Sequence, residues 1–258
     1  MTEKILKYDG SFKGFLTCIF TAYEQKLKII QILPQAEDQE QLFTGTHNII
    51  TEEQKAQRVL KALKSKASVN GIKKIKYAFL SEAQDIEIKL YEMIRYIFSE
   101  KEKVELDYSH SAVLYISKIA KQVAREKHRM EAFVRFRLTK DKIYFAIIEP
   151  DFNVLPIINP HFKKRYADQK WLIYDIKRKL GVYYDLSKME YVSIALPEDI
   201  GFSGANSEYF EVGEIYYQKL WKEYFDCTNI KNRVNMRLHV QQVPKRYWKY
   251  LSEKSPFA

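Results

Sequence analysis

An α+β fold, with a mainly helical N-terminal half packed with a mostly antiparallel sheet and a C-terminal helix, is predicted by three features of the sequence. Apolar residues recur at helical spacing through about residue 130. Beyond that point the period shortens to the alternation of short strands. The strands cluster after the helices instead of interleaving with them, which argues against an alternating βαβ sheet. The 258 residues, 46% hydrophobic, suffice for one large domain or two tightly joined halves. Only 8 Gly and 7 Pro are present and no Ser/Gly/Pro-rich stretch marks a linker, so the reading is a single domain over residues 1–258, helical over about 1–130 and strand-rich over about 131–258.

The elements follow in order. Ile5 to Tyr8 reads as a short strand, and Asp9-Gly10-Ser11 as a turn leading into a helix cap. Phe12, Leu16, Ile19, Phe20, Tyr23 and Leu27 form a core-facing helical stripe. Thr51 with Gln54 has the form of a capping box ahead of Ala56, Val59, Leu60 and Leu63, and Ser81 with Gln84 repeats it ahead of Ile86, Leu90, Met93, Ile94 and Ile97. A further helix spans Ser111 to about Met130, with Val113, Ile116, Ile119, Ala120 and Val123 on one side. Lys118, Lys121, Arg125, His128 and Arg129 fall on the other, as a basic ridge. Phe133 to Leu138 then alternates, placing Phe133, Arg135 and Arg137 on one face of a strand that turns at Thr139 to Lys142 into Ile143 to Ile148. Pro150, Pro156 and Pro160 suggest an exposed loop before His161-Phe162-Lys163-Lys164-Arg165-Tyr166. Trp171 to Asp175, Val182 to Asp185 and Tyr191 to Leu196 read as strands around Lys177-Arg178-Lys179, and Tyr209 to Asp226 as helix.

The charge is local. Residues 125–181 hold 14 Lys/Arg against 7 Asp/Glu, which accounts for seven of the ten surplus positive charges of the chain. A positive field threaded among aromatics inside folded sequence suits a polyanion, although a solvated Lys/Arg face has the same composition. The expected nucleic-acid contacts are Lys118, Lys121, Arg125, His128, Arg129, Arg135, Arg137, Lys163, Lys164, Arg165, Lys177, Arg178 and Lys179 for phosphates. Phe133, Phe162 and Tyr166 are the rings on which an unpaired or extruded base could stack.

Several classes are disfavoured. Cys18 and Cys227 are isolated in apolar helical stretches and read as buried free thiols; with five scattered histidines they supply neither an iron–sulfur cluster nor a structural zinc spacing. No phosphate-binding glycine loop is present. The N-terminus lacks a signal-peptide core and no run reaches the roughly 18 apolar residues of a span, so a cytoplasmic protein without membrane association is expected.

Tyr8-Asp9-Gly10-Ser11-Phe12 with Gly14-Phe15-Leu16, Phe133-Val134-Arg135-Phe136, Glu149-Pro150, Pro160-His161-Phe162 with Arg165-Tyr166, Trp171 to Asp175, and Pro244-Lys245-Arg246-Tyr247-Trp248 together resemble a bacterial family of unknown function. Its members are described as radical-SAM-associated DNA metabolism or repair proteins, and related domains are fused to uracil-DNA-glycosylase-like domains. The resemblance spans roughly residues 4–251 and implies DNA and a radical SAM DNA repair protein as partners. It also implies that the iron–sulfur cluster and S-adenosylmethionine belong to that partner, with no cofactor in this chain.

Three function classes follow. The first is a DNA-binding accessory component of a repair or modification system, without catalysis of its own. The second is a nucleic-acid enzyme, a glycosylase or nuclease, using Glu149 or Asp151 at a strand end with His161 nearby in sequence to activate water. Those same carboxylates would also serve as turn caps or ion-pair partners. The third is a scaffold whose basic patch meets an acidic face of the radical SAM partner.

Overall fold

Chain segments 3–35, 45–197, 200–203, 208–228 and 235–254 are described by the computed structural model, and they group into two compact units, Met1–Ala124 and Arg125–Ala258. The mixed α+β class expected from the sequence is observed. In the first unit, β1 (Glu3–Tyr8) is the centre of a three-stranded parallel sheet ordered β2-β1-β3, with β2 at Lys28–Pro34 and β3 at Gly45–Asn48. Sequence periodicity reveals only β1. β2, Lys-Ile-Ile-Gln-Ile-Leu-Pro, is a short apolar run without alternation, and β3 is polar and mostly exposed, so neither carries a strand signal of its own.

Parallel pairing needs a crossover, and α1 (Phe12–Glu24) provides it between β1 and β2. Gly10 turns the chain at φ +78, Ser11 Oγ caps the helix by accepting from Gly14 N at 2.9 Å, and Asp9 Oδ1 accepts from Ser11 N at 2.9 Å. Thr51 does not open a capping box: its hydroxyl donates to Asp9 Oδ2 at 2.8 Å, and Glu52 takes the N-cap position of α2 (Glu53–Lys66). A Cβ at residue 14 would lie 2.2 Å from Asp9 Oδ1, so the glycine makes room for this clasp. Ser81 likewise caps nothing; it donates to Ala78 O at 2.6 Å, and α4 (Ile86–Ser99) starts after Asp85 in the left-handed region, φ 58. With the start of α5 (Ser111–Phe133), these helices bury the expected stripes around Leu16, Ile19, Leu63, Leu90 and Met93, and α3 (Val69–Phe79), which was not expected from the sequence, adds Ile75 to the same core. Tyr23 departs from its stripe and is 46% exposed.

The second unit holds a five-stranded sheet ordered β4-β5-β6-β7-β8: Arg137–Leu138, Tyr144–Ile148, Trp171–Asp175, Leu180–Tyr184 and Met189–Val192. Only β5 and β6 pair in parallel, so the sheet is mostly antiparallel as expected. The crossover between them is α6 (Leu155–Arg165), which replaces the expected loop. Pro156 sits in the first turn, where no backbone N–H is required, and the bond lost at Pro160 is outweighed by burial of Leu155, Ile158 and Phe162. The strand expected over 133–138 also shrinks, because α5 runs to Phe133 and only Arg137 and Leu138 pair with β5. Among the described residues that follow are α7 (Val212–Thr228), α8 (Met236–Gln242) and a 3-10 turn over Lys245–Tyr250. Cys18 is a buried free thiol as expected, whereas Cys227 on α7 is exposed.

Candidate nucleic-acid interface

Parallel register fixes where the basic residues of the second unit lie. Tyr144 faces Trp171 and Ile148 faces Asp175, so α6 leaves the Ile148 end of the sheet and returns to the Trp171 end. Lys163, whose Nζ donates to Ser187 O at 3.2 Å and lies 5.5 Å from the Tyr184 ring, marks the Trp171 end with Lys164 and Arg165. Lys177, Arg178 and Lys179 follow β6 at the opposite end. The single basic window of the sequence is therefore two separate patches of the unit.

At the Ile148 end, carboxylates and cations are mutually satisfied. Glu126, 1% exposed, accepts from Asp151 N at 2.9 Å, from the Tyr247 hydroxyl, and from Arg246 at 3.5 Å. Burial together with the hydrogen bond to Glu126 pushes the Tyr247 hydroxyl up from its ordinary pKa. Asp151 pairs with Arg246 at 2.6 Å, and Glu149 accepts from Lys249 Nζ at 2.7 Å and Tyr250 Oη at 2.5 Å. The Lys249 and Tyr250 hydrogen bonds hold the Glu149 carboxyl below the usual glutamate range. Fully buried Asp175 accepts Arg178 Nη1 at 2.8 Å and the backbone N–H groups of Lys177 and Arg178; burial nevertheless raises its pKa. Arg178 also donates to Pro150 O at 3.3 Å and Lys177 Nζ to Asp151 O at 3.1 Å. Glu149 and Asp151 thus fasten the Lys245–Tyr250 turn to the end of the sheet. A glutamate held ionised by an ammonium and a phenol is a weak proton donor and a weak base.

An open cleft of about 800 Å³ adjoins this cluster at Tyr250 and is lined by Phe136, Tyr144, Tyr166, Phe202, Tyr217, Trp221 and Tyr250 among its rings. Arg165, His161 and Gln169 stand at it from α6 and the segment that follows. Phe136 meets Tyr166 edge-on at 5.4 Å and Phe162 at 5.7 Å, while Arg165 lies 5.7 Å from the Tyr166 ring. One wall is α7, whose Tyr217 and Trp221 are 66% and 41% exposed, enough ring face for another flat group to cover. Two buried acids hold that wall. Glu253 accepts Arg135 Nη2 at 2.7 Å, Arg135 Nε at 3.2 Å and Trp221 Nε1 at 3.0 Å; burial pushes its pKa up, but the Arg135 contacts outweigh burial and keep it below the ordinary range. Glu214 accepts from Leu138 N at 3.0 Å and Gln218 Nε2 at 3.1 Å. Arg137, 4% exposed, covers the Phe210 ring at 4.3 Å and donates to Gly201 O at 3.2 Å; burial lowers its pKa to about 10 against the pull of Glu214.

Several expected contacts are therefore corrected. Arg135 and Arg137 do not share a strand face: the first is bound to Glu253 and the second is buried. Phe162 is 2% exposed in an aromatic core with Trp171, so no base can stack on it, and Phe133 packs 5.6 Å from Tyr247. Arg178 is committed to Asp175, and half-buried Arg129 lies 3.6 Å from Glu126. Arg125, His128, Lys164, Arg165, Lys177 and Lys179 are exposed in the second unit, and Lys118 and Lys121 in the first. His161 lies 3.9 Å from Glu131 and is not joined to Glu149 or Asp151 by any observed contact. The cleft wall of Phe202, Tyr217, Trp221 and Tyr250 went unrecognised in the sequence; its one signal was the aromatic density of α7. Among the described residues no group of three or more His, Cys, Asp and Glu could hold a metal ion, and no helix is long and apolar enough to cross a membrane.

Residues 84–253 match the model of a family described as a domain of unknown function, DUF4130. No curated protein matches the chain.

Proposed function

The chain belongs to that family, and on this premise we propose that it is a DNA-binding accessory component of a bacterial DNA repair or modification system, acting with a radical SAM enzyme in the cytoplasm. The observation that carries the reading is the aromatic cleft of the second unit, to which Tyr217 and Trp221 present exposed rings and at which the Arg165 guanidinium lies 5.7 Å from the Tyr166 ring. Such a surface suits an unpaired or extruded nucleotide: rings stack on the base without regard to its identity, and the cation meets the phosphate. The surplus charge of residues 125–181 supports a strand running beyond the cleft.

The motifs shared with the radical-SAM-associated proteins support the partner enzyme, which would bring the cluster and S-adenosylmethionine while this chain holds the substrate strand. Enzymatic action through Glu149 and Asp151 is less well supported, because Lys249, Tyr250 and Arg246 already engage both carboxylates. Fluorescence anisotropy with single-stranded, duplex and uracil-containing DNA at two salt concentrations tests the reading. Single strands should bind most tightly, with affinity falling steeply as salt rises and at least tenfold weaker in Arg165→Ala combined with Trp221→Ala. Equal affinity in that variant, or cleavage of the uracil strand that Glu149→Gln abolishes, would overturn it.

A further inference from the structure

The first unit carries a groove of about 440 Å³ whose lining comes from α3, Tyr108 and α5. Asn70, Lys73, Lys74 and Tyr77 stand at the spacing of one helical face on α3, and Leu114, Ser117, Lys118 and Lys121 at the same spacing on α5. No carboxylate lines the groove, and none of its four lysines is paired with an acid among the described residues. Two of the lysines lie against rings: Lys73 is 5.2 Å from the Tyr77 centroid, and Lys74 is 5.4 Å from the Tyr108 centroid and 3.4 Å from its hydroxyl. The Ser117 hydroxyl is buried without a hydrogen-bond partner. A buried hydroxyl of this kind normally finds an acceptor, and four ammonium groups without a counter-charge repel one another. An anion presenting several oxygens answers both. The remaining lining, Leu114, Ala120 and the buried Tyr77, is apolar, so the ligand should carry a flat apolar part beside its anionic group.

We propose that this groove binds a nucleotide through its phosphate, as a free nucleotide or as the 5′-phosphorylated end of a DNA strand. The lysines take the phosphate oxygens, Ser117 donates to one of them, and the ring system lies on Tyr108 and the apolar floor. This site shares no residue with the aromatic cleft of the second unit, so it stands or falls separately from the function proposed for that cleft.

Calorimetric titration of the full chain with dAMP, inorganic phosphate, and single strands with and without a 5′-phosphate tests it. Lys74→Gln combined with Lys121→Gln should weaken dAMP on the order of tenfold or more, whereas Arg165→Ala with Trp221→Ala in the cleft should leave dAMP unchanged. Tyr108→Ala should weaken dAMP but not inorganic phosphate. Preference for the phosphorylated strand over the unphosphorylated one would assign the site to strand ends, and equal binding of the two strands to free nucleotide. Lysine acetylation read by mass spectrometry on the unaltered protein gives an independent measure: dAMP should protect Lys73, Lys74, Lys118 and Lys121. No dAMP binding at low salt, undiminished binding in the double lysine variant, or unprotected lysines would overturn the proposal. Tight binding of phosphatidic acid vesicles in place of dAMP would overturn it as well.

Discussion

The two units stabilise themselves by different means. Among its buried polar residues the first unit has Thr17, Thr21, Ser81 and one acid, Glu105, around a broad apolar cluster. Glu105 acts locally, accepting from Ser68 N at 2.8 Å at the start of α3. The second unit buries Glu126, Arg137, Asp175, Glu214 and Glu253, and these charges tie distant stretches together: Arg135 to Glu253, Glu126 to Arg246 and Tyr247, Glu214 to the backbone of Leu138. Apolar burial is tolerant of detail, whereas a buried charge is stable only with its partner in place. The second unit is therefore the more specified of the two, and that rigidity positions the walls of its aromatic cleft.

Unfolding experiments can break this contrast. All three tryptophans, Trp171, Trp221 and Trp248, belong to the second unit, so their fluorescence follows that unit while far-ultraviolet circular dichroism follows both. Arg137→Ala should have the largest effect, about 3–5 kcal/mol in urea unfolding followed by tryptophan fluorescence, because it empties a buried site in which the side chain covers the Phe210 ring and donates to Gly201 O. Leu63→Ala, in the core of the first unit, should cost about 3 kcal/mol and shift circular dichroism while leaving the tryptophan transition in place. If Leu63→Ala moves the tryptophan transition by the same amount, the units do not unfold separately.

Acid should weaken both units, since the Asp9 and Glu105 carboxyls of the first are also held below their ordinary range, and the tryptophans report its effect on the second. Glu149 and Glu253 have folded pKa values held below 4.5, so their contribution is complete above about pH 4.5 and is lost as pH falls through the folded values. Asp175 acts in the opposite sense: raised above 3.8 by burial, it favours the folded state most at low pH and loses that contribution as pH rises through its folded value. The carboxylates of lowered pKa outnumber it, so the tryptophan transition should weaken below about pH 4.5, and Glu253→Gln should flatten that dependence. The smallest effect should come from Ser11→Ala, about 1 kcal/mol, through loss of the cap on α1.

Legibility in the sequence followed the same contrast. Helical stripes such as Ala56-Val59-Leu63 were readable because burial imposes a 3.6-residue period, and the turn at Thr139 to Lys142 because its residues suit it. Pro156 and Pro160 misled because tertiary burial of Leu155, Ile158 and Phe162 overrode local preference. The two capping boxes failed because Thr51 found Asp9 and Ser81 found the Ala78 carbonyl. The site was harder to see. Arg135 and Arg137 resemble phosphate contacts in sequence, yet their partners, Glu253 and the Gly201 carbonyl, lie 118 and 64 residues away, and no local pattern reports a pairing of that span. Arg165 and Tyr166 were recognised because cation and ring are adjacent; Tyr217 and Trp221 join them only through the fold.

The most direct test of the cleft is the fluorescence of 2-aminopurine placed within a single-stranded oligonucleotide, measured as the protein is added. Stacking against the cleft rings should alter that fluorescence in the unaltered protein, and the change should be lost in Tyr166→Ala combined with Trp221→Ala, whose melting temperature would be checked alongside. An unchanged 2-aminopurine signal on binding, or a change that survives in the variant, would contradict a nucleotide held in the aromatic cleft.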